Sequence, residues 1–325
     1  MQFQTITKIT PLRKKIDHNN SIFSLGSCFA ENIARKLAER KFHIAESPSG
    51  ILFNPESIAR SLEIYQQNLQ LSVKELMLGD EGWFSYDFHS SLSHIEQDTA
   101  LSQMQLAIDN GHKALKEADV VIITFGTAMV YTLKEQQRVV ANCHKQPQQL
   151  FTRSMLSVED IVQRYSLLME GVLRDKLVIF TVSPVRHLSD GLEENSLSKA
   201  TLRLAIDAIV KRFANAKYFP SYEILCDELR DYRFYAEDMV HPSAVAVEYI
   251  WECFGRCYFD NGTQRLNEEI ETVIRAIGHR PLDAQSEGYK NFLRNLLDKI
   301  GAIEEKYSYI DFENEKTRCS TLLKI

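Results

Sequence analysis

Two short apolar runs constrain this chain most: Val120-Val121-Ile122-Ile123-Thr124, closed by Gly126, and Leu177-Val178-Ile179-Phe180-Thr181-Val182, closed by Ser183-Pro184. Runs this short, apolar at every position, suit strands buried on both faces, as in a parallel sheet covered by crossover helices. Ile22-Phe23-Ser24-Leu25 and Phe42-His43-Ile44-Ala45 read as two further strands, and Phe219 to Cys226 contains another strand candidate. Helical spacing lies between them: Ile33, Ala34, Leu37 and Ala38 within Ala30 to Arg40, then Val158 to Leu173 and Leu197 to Phe213. Strands alternating with helices predict an α/β fold.

Two stretches interrupt the alternation. Leu71 to Leu101 carries Trp83, Phe84, Tyr86, Phe88, His89 and His94 without helical period and reads as an insertion of loops or short strands. Val130 to Cys143 alternates around Glu135-Gln136-Gln137 and predicts a hairpin projecting from the strand ends, so both stretches are candidates to roof a pocket. Beyond Gly262 the pattern is helical and charged, with Leu266 to Ile277 and Tyr289 to Ile303 as helices. This gives an α/β domain over 20–258, with its insertion at 71–101, and a helical extension over 259–325 that is a candidate homo-oligomer contact.

The 325 residues are 44% hydrophobic and 25% charged, enough to bury a sizeable core. A net charge of -6 with no Lys/Arg run argues against nucleic acid as a partner. No apolar run reaches the ~18 residues of a membrane span, and the N-terminus lacks a secretory pattern. The six cysteines are scattered without a C-x-x-C pair, which points to reduced thiols in the cytoplasm. Neither a phosphate loop nor a dinucleotide-binding glycine pattern is present, and the histidines lack metal-ligand spacing, so no cofactor or metal is implied.

Polar residues gather after the strands, where open parallel sheets bind ligands. Ser27 stands between a strand and a helix, where free N–H groups favour a developing oxyanion. Asp238 lies three residues before His241, close enough to fix the imidazole tautomer, and Pro242 then opens a helix. Ser27 with Asp238 and His241 makes a candidate serine-type triad. Taken singly, Ser27 is equally an N-cap and the Asp238/His241 segment equally a capping turn. Cys28 competes as nucleophile, since a thiol at a helix N-terminus is the stronger attacker. The Asn142-Cys143-His144-Lys145 cluster is either a pocket contact or a turn, and Arg186-His187 offers contacts to an anionic or sugar substrate.

Gly26-Ser27-Cys28-Phe29-Ala30 spells the signature of the GSCFA domain family, which resembles the SGNH (GDSL-like) hydrolases. Gly50 to Pro55, Thr124 to Ala128, Asn142 to Lys145, Val182 to Arg186 and Asp238 to Ser243 look like its successive blocks, over about residues 20 to 255. The resemblance implies a three-layer α/β/α sandwich around a mostly parallel, flavodoxin-like sheet. It implies Ser27 as nucleophile, His241 as base and Asp238 as its orienter, in an esterase or O-acyltransferase acting on acylated carbohydrate or other small acyl esters. Gly50 fits one oxyanion donor of the wider superfamily. Its Asn after the third strand is missing here, leaving Thr127, Asn54 or Asn142 to substitute. The alternative is an inactive binding module for a glycan or acylated ligand.

Overall fold

The computed structural model describes residues 4–279 and 281–323. Its centre is a five-stranded parallel sheet in the order β10-β9-β5-β1-β2, formed by β1 (Ser21–Gly26), β2 (His43–Glu46), β5 (Val120–Phe125), β9 (Leu177–Val182) and β10 (Ala216–Phe219). Every residue of β5 is buried, and β1 and β9 are buried at all but their first residue, as strands covered on both faces require. Helices α1 (Cys28–Glu39), α2 (Pro55–Gln67), α3 (Gln97–Glu117), α4 (Val158–Glu170) and α5 (Gly191–Arg212) flank the sheet, in agreement with a three-layer α/β/α fold.

Local chemistry fixes several of these elements. At the start of α2, the Asn54 side chain accepts the N–H of Ser57 and Pro55 fills the first helical position; Asn68 ends it in the left-handed region at φ 47°. Helix α4 opens with a capping box between Ser157 and Asp160. Phe23, Tyr65, Ile108, Val121, Phe180 and Ile206, drawn from strands and helices alike, share one apolar core.

Three segments differ from the sequence reading. The last strand is Ala216–Phe219 rather than a stretch within Phe219 to Cys226, because Pro220 cannot donate to a ladder; α6 (Ser221–Glu223) and a π-type segment, Ile224–Leu229, follow. The interval read as an insertion holds the hairpin of β3 (Met77–Gly79) and β4 (Gly82–Phe84), but its final residues already belong to α3, whose buried Ala100, Met104, Ala107, Ile108, Gly111 and Leu115 keep helical spacing. The hairpin of β6 (Met129–Leu133) and β7 (Arg138–Val140) gains a third strand, β8 (Phe151–Met155), on the free edge of β6.

The chain divides into two compact units. The first holds the sheet and its helices, mainly Ser21–Ala34 and Ile44–Cys253. The second joins Pro11–Asn20 and Arg35–His43 to the chain from Phe254 onward. Leu266, Ile270, Val273, Leu293, Ile300 and Phe312 form its apolar centre, with helices α8 (Asn261–Gly278), α9 (Glu287–Lys306) and α10 (Glu313–Leu323) following α7 (Ala244–Tyr258). Among the described residues, no helix is long and apolar enough to cross a membrane.

Candidate functional site

The strand order reverses at β1: the next strand, β2, lies on one side and β5 on the other. Such a switch point opens a crevice beyond the carboxyl ends of the two strands. Gly26 ends β1 there at φ 136°, and a Cβ on it would stand 2.2 Å from the carbonyl oxygen of Thr124, so only glycine lets the strands approach. Ser27 continues the ladder for one residue, its N–H donating to Thr124 O at 3.1 Å, and its carbonyl accepts the N–H of Ala30 at 2.7 Å. Its side chain is buried, and Oγ has no hydrogen-bond partner among the described residues.

The next residue behaves differently. Cys28, half-buried, begins α1 and places Sγ 3.6 Å from Nε2 of His241. The imidazole is in turn held by Asp238, whose Oδ2 lies 2.6 Å from Nδ1. That carboxylate accepts Nδ1–H, leaving Nε2 to accept the thiol hydrogen. Asp238 Oδ1 takes the N–H groups of Val240 and His241, both at 2.9 Å, an arrangement that Met239 permits by turning through φ 58°. These two backbone bonds, with the side-chain bond to His241, hold the Asp238 carboxyl down to about 2. The loop is closed by a bridge between Tyr235 and Pro242 and by the Ala236 N–H on His241 O. Asp238 and His241 are about half exposed, at 49% and 48% of their side chains, so the relay stands open to solvent.

Burial, followed by the nearby Glu31, pushes the Cys28 thiol up, while Lys199 and the N–H groups of Cys28 and Phe29 pull the other way. The resting sulfur is therefore a thiol facing an imidazole rather than a preformed thiolate. The side-chain amide of Asn54 faces a pocket of about 440 Å³ that Thr127, Asn142, Phe53, Met129 and His187 also line. Asn54 Oδ1 is occupied by the N–H of Ser57, whereas its Nδ2 has no hydrogen-bond partner among the described residues.

The remaining residues singled out from the sequence hold structural bonds of their own, Thr127 and Asn142 at the wall of that pocket. Gly50 turns at φ 78° against His89, and its N–H donates to Ser47 O. Thr127 Oγ1 bonds Ser198 Oγ and accepts the N–H of Met129, while the N–H groups of Gly126 and Thr127 both donate to Phe53 O. Asn142 Oδ1 accepts the N–H of His144; the His144 ring stacks on Phe84 and its Nε2 meets the carbonyls of Ser85 and Phe88. Arg186 lies over the rings of Tyr235 and Tyr232 at 4.8 and 5.7 Å.

A family model described as the GSCFA family matches residues 21–254. The chain belongs to the GSCFA family. A second model, the C-terminal domain of GSCFA domain proteins, matches residues 270–325. Comparison with curated proteins gives no match. The letters of the GSCFA signature are here the turn itself, from the glycine that admits Thr124 O to the first helical residues behind the thiol. One residue behind the neighbouring strand ends escapes the sequence reading of the GSCFA chain: Lys199, fully buried, donates from Nζ to Gly126 O at 2.6 Å and to Ser183 O at 2.8 Å. Its signal was present, since Lys199 falls in register with Leu202, Ile206 and Ile209 on the buried face of α5.

Proposed function

We propose that the protein is an acyl-transfer enzyme, an ester hydrolase or O-acyltransferase, that works through a thioester on Cys28, with His241 as base and Asp238 as the group that orients it. The contact of 3.6 Å between Cys28 Sγ and His241 Nε2 carries this reading. It moves the nucleophile by one residue from Ser27, whose buried hydroxyl makes no bond to the imidazole. A serine nucleophile needs hydrogen-bond reach to its base, and Cys28 has the reach that Ser27 lacks.

In the first half-reaction the thiol sulfur attacks the ester carbonyl carbon while its proton passes to His241 Nε2. The tetrahedral oxyanion forms beside the free N–H groups at the start of α1, with the Asn54 amide as a further donor. Collapse breaks the carbon–oxygen bond, the departing alkoxide takes the proton from His241, and acyl-Cys28 remains. Water or an acceptor hydroxyl then attacks, gives its proton to His241, and releases the acyl group with the thiol restored. Asp238 stays ionised throughout and keeps the ring in one tautomer. The resemblance of the GSCFA family to SGNH hydrolases, with an Asp-x-x-His pair at Asp238 and His241, supports acyl-transfer chemistry, and an acylated carbohydrate or other small acyl ester suits a pocket lined by amides and aromatic rings.

The test is a pair of substitutions assayed on short acyl esters and thioesters. Cys28→Ala should abolish turnover and the acyl-enzyme mass adduct, whereas Ser27→Ala should stay within a few-fold of the parent. Undiminished turnover in Cys28→Ala would remove the proposal, and loss confined to Ser27→Ala would restore the hydroxyl as nucleophile.

A further inference from the structure

Lys199 is the most deeply buried cation at the sheet's carboxyl edge. Its side chain is 2% exposed, and among the described residues no carboxylate pairs with it. Instead Nζ joins the carbonyls of Gly126 and Ser183, the residues that directly follow β5 and β9. Gly126 is itself pressed against the nucleophile turn, since a Cβ there would stand 3.1 Å from Ser27 Cβ and 3.4 Å from His187 Nε2. The neighbouring Ser198 reinforces the connection, its Oγ accepting the N–H of Ala128 at 2.7 Å. Consecutive residues of α5 thus hold the Gly126-Thr127-Ala128 turn, and the ammonium lies directly behind it.

A buried ammonium without a counter-ion is strongly disfavoured unless a charge answers it. The groups facing Lys199 that can supply one are thiols, Cys28 from α1 and Cys226 from the segment after α6; Tyr222 presents only its ring, with its centroid 6.0 Å from Nζ. Burial brings Lys199 down to about 7, so its charge is present in mild acid, about half present in neutral solution and lost in mild base.

We propose that Lys199 is a positioning residue of the catalytic turn whose ammonium acts as the counter-charge for the anion that develops at Cys28. The idea rests on Cys28 being the nucleophile. It assigns the cation a role distinct from that of His241: His241 takes the proton, and Lys199 favours the negative charge left behind. The ammonium reaches the site through Gly126 O and need not touch substrate.

The sign of the effect follows from the two titrations. Below about 7 Lys199 is charged and raises the thiolate fraction of Cys28; above it the charge disappears and the advantage with it. The test is the rate of alkylation of Cys28 by neutral iodoacetamide in the full chain, followed by mass spectrometry from pH 6 to 9. The parent should react about tenfold faster than Lys199→Met at pH 6.5, one pKa unit of thiolate, and the two rates should converge above pH 8. A ratio that stays constant with pH in a folded variant overturns the proposal, because a structural role alone would not follow the lysine titration. Should Lys199→Met lose its cooperative melt, His241→Asn decides instead. With the imidazole and its own influence on Cys28 removed, a shelf in the rate near pH 7 supports Lys199, and an unbroken tenfold rise per pH unit overturns it. Alkylation requires no turnover, so this outcome is separable from the ester assay of Cys28→Ala. Glu31, the other charge facing Cys28, is present in all these proteins.

Discussion

Both oxygens of Asp238 are engaged, Oδ1 by two backbone N–H groups and Oδ2 by the imidazole. Asp238→Asn should keep the turn but allow the wrong tautomer, lowering kcat by about 10²–10⁴-fold with little change in KM. The carboxyl titrates near 2, below its ordinary range, so its contribution to stability is complete above about pH 4 and disappears as pH falls through about 2. The stability difference between the parent and the Asn variant should be constant above about pH 4 and change only as pH falls through that window, and a difference that does not change with pH would deny the bonds their role. At this scale the sequence is informative about the Asp238-His241 pair, whereas the contact with the imidazole is made by Cys28, the residue after Ser27. The Asp-x-x-His spacing is local, so a single turn defines it. Choosing between Ser27 and Cys28 depends on how far the β1 ladder runs, and that is decided by Thr124 O, nearly a hundred residues away.

Helix and strand pairs carry the next level. Gly111 on α3 meets the ring of Tyr65 on α2, and a Cβ there would lie 2.3 Å from the ring. Tyr65 cannot swing aside freely, because its hydroxyl is tied to the N–H and Oγ of Ser49 in the turn before Gly50. Gly111→Ala should therefore destabilise the protein by about 1–3 kcal/mol, read as a lower urea midpoint at unchanged slope. An unaltered midpoint would mean the helices separate without penalty. Elements with strong apolar period, such as β5, β9 and α5, were legible because burial on both faces or along one stripe writes itself into the residues. Strand β8 was not, since four of its five residues are exposed and only its pairing with β6 makes it a strand. Strand β10 has buried residues only at its ends, which hides it in the same way.

For the whole molecule, the second unit has contributions from both ends of the sequence. Phe42 stacks on His18 at 4.0 Å and on Phe259 at 5.1 Å; Arg40 pairs with Glu271 and Lys41 with Glu315. A chain ended at Tyr258 would expose Ile16 and Phe42 and leave Arg40 without one of its carboxylates. Such a protein should bind a hydrophobic dye and give little soluble monomer, while a monomeric fragment with the parent's melting temperature would contradict this. Sequence periodicity reveals the helices α8 and α9 but not this splitting of one core among distant segments, because each contributing piece is short and unremarkable by itself. The division also sets an order of events during synthesis. Phe42 leaves the ribosome about two hundred residues ahead of Phe259, a delay of roughly 10–40 s at ordinary elongation rates. For that interval Phe42 has His18 but lacks Phe259, so the nascent chain is a natural client for chaperones until about its last fifth emerges.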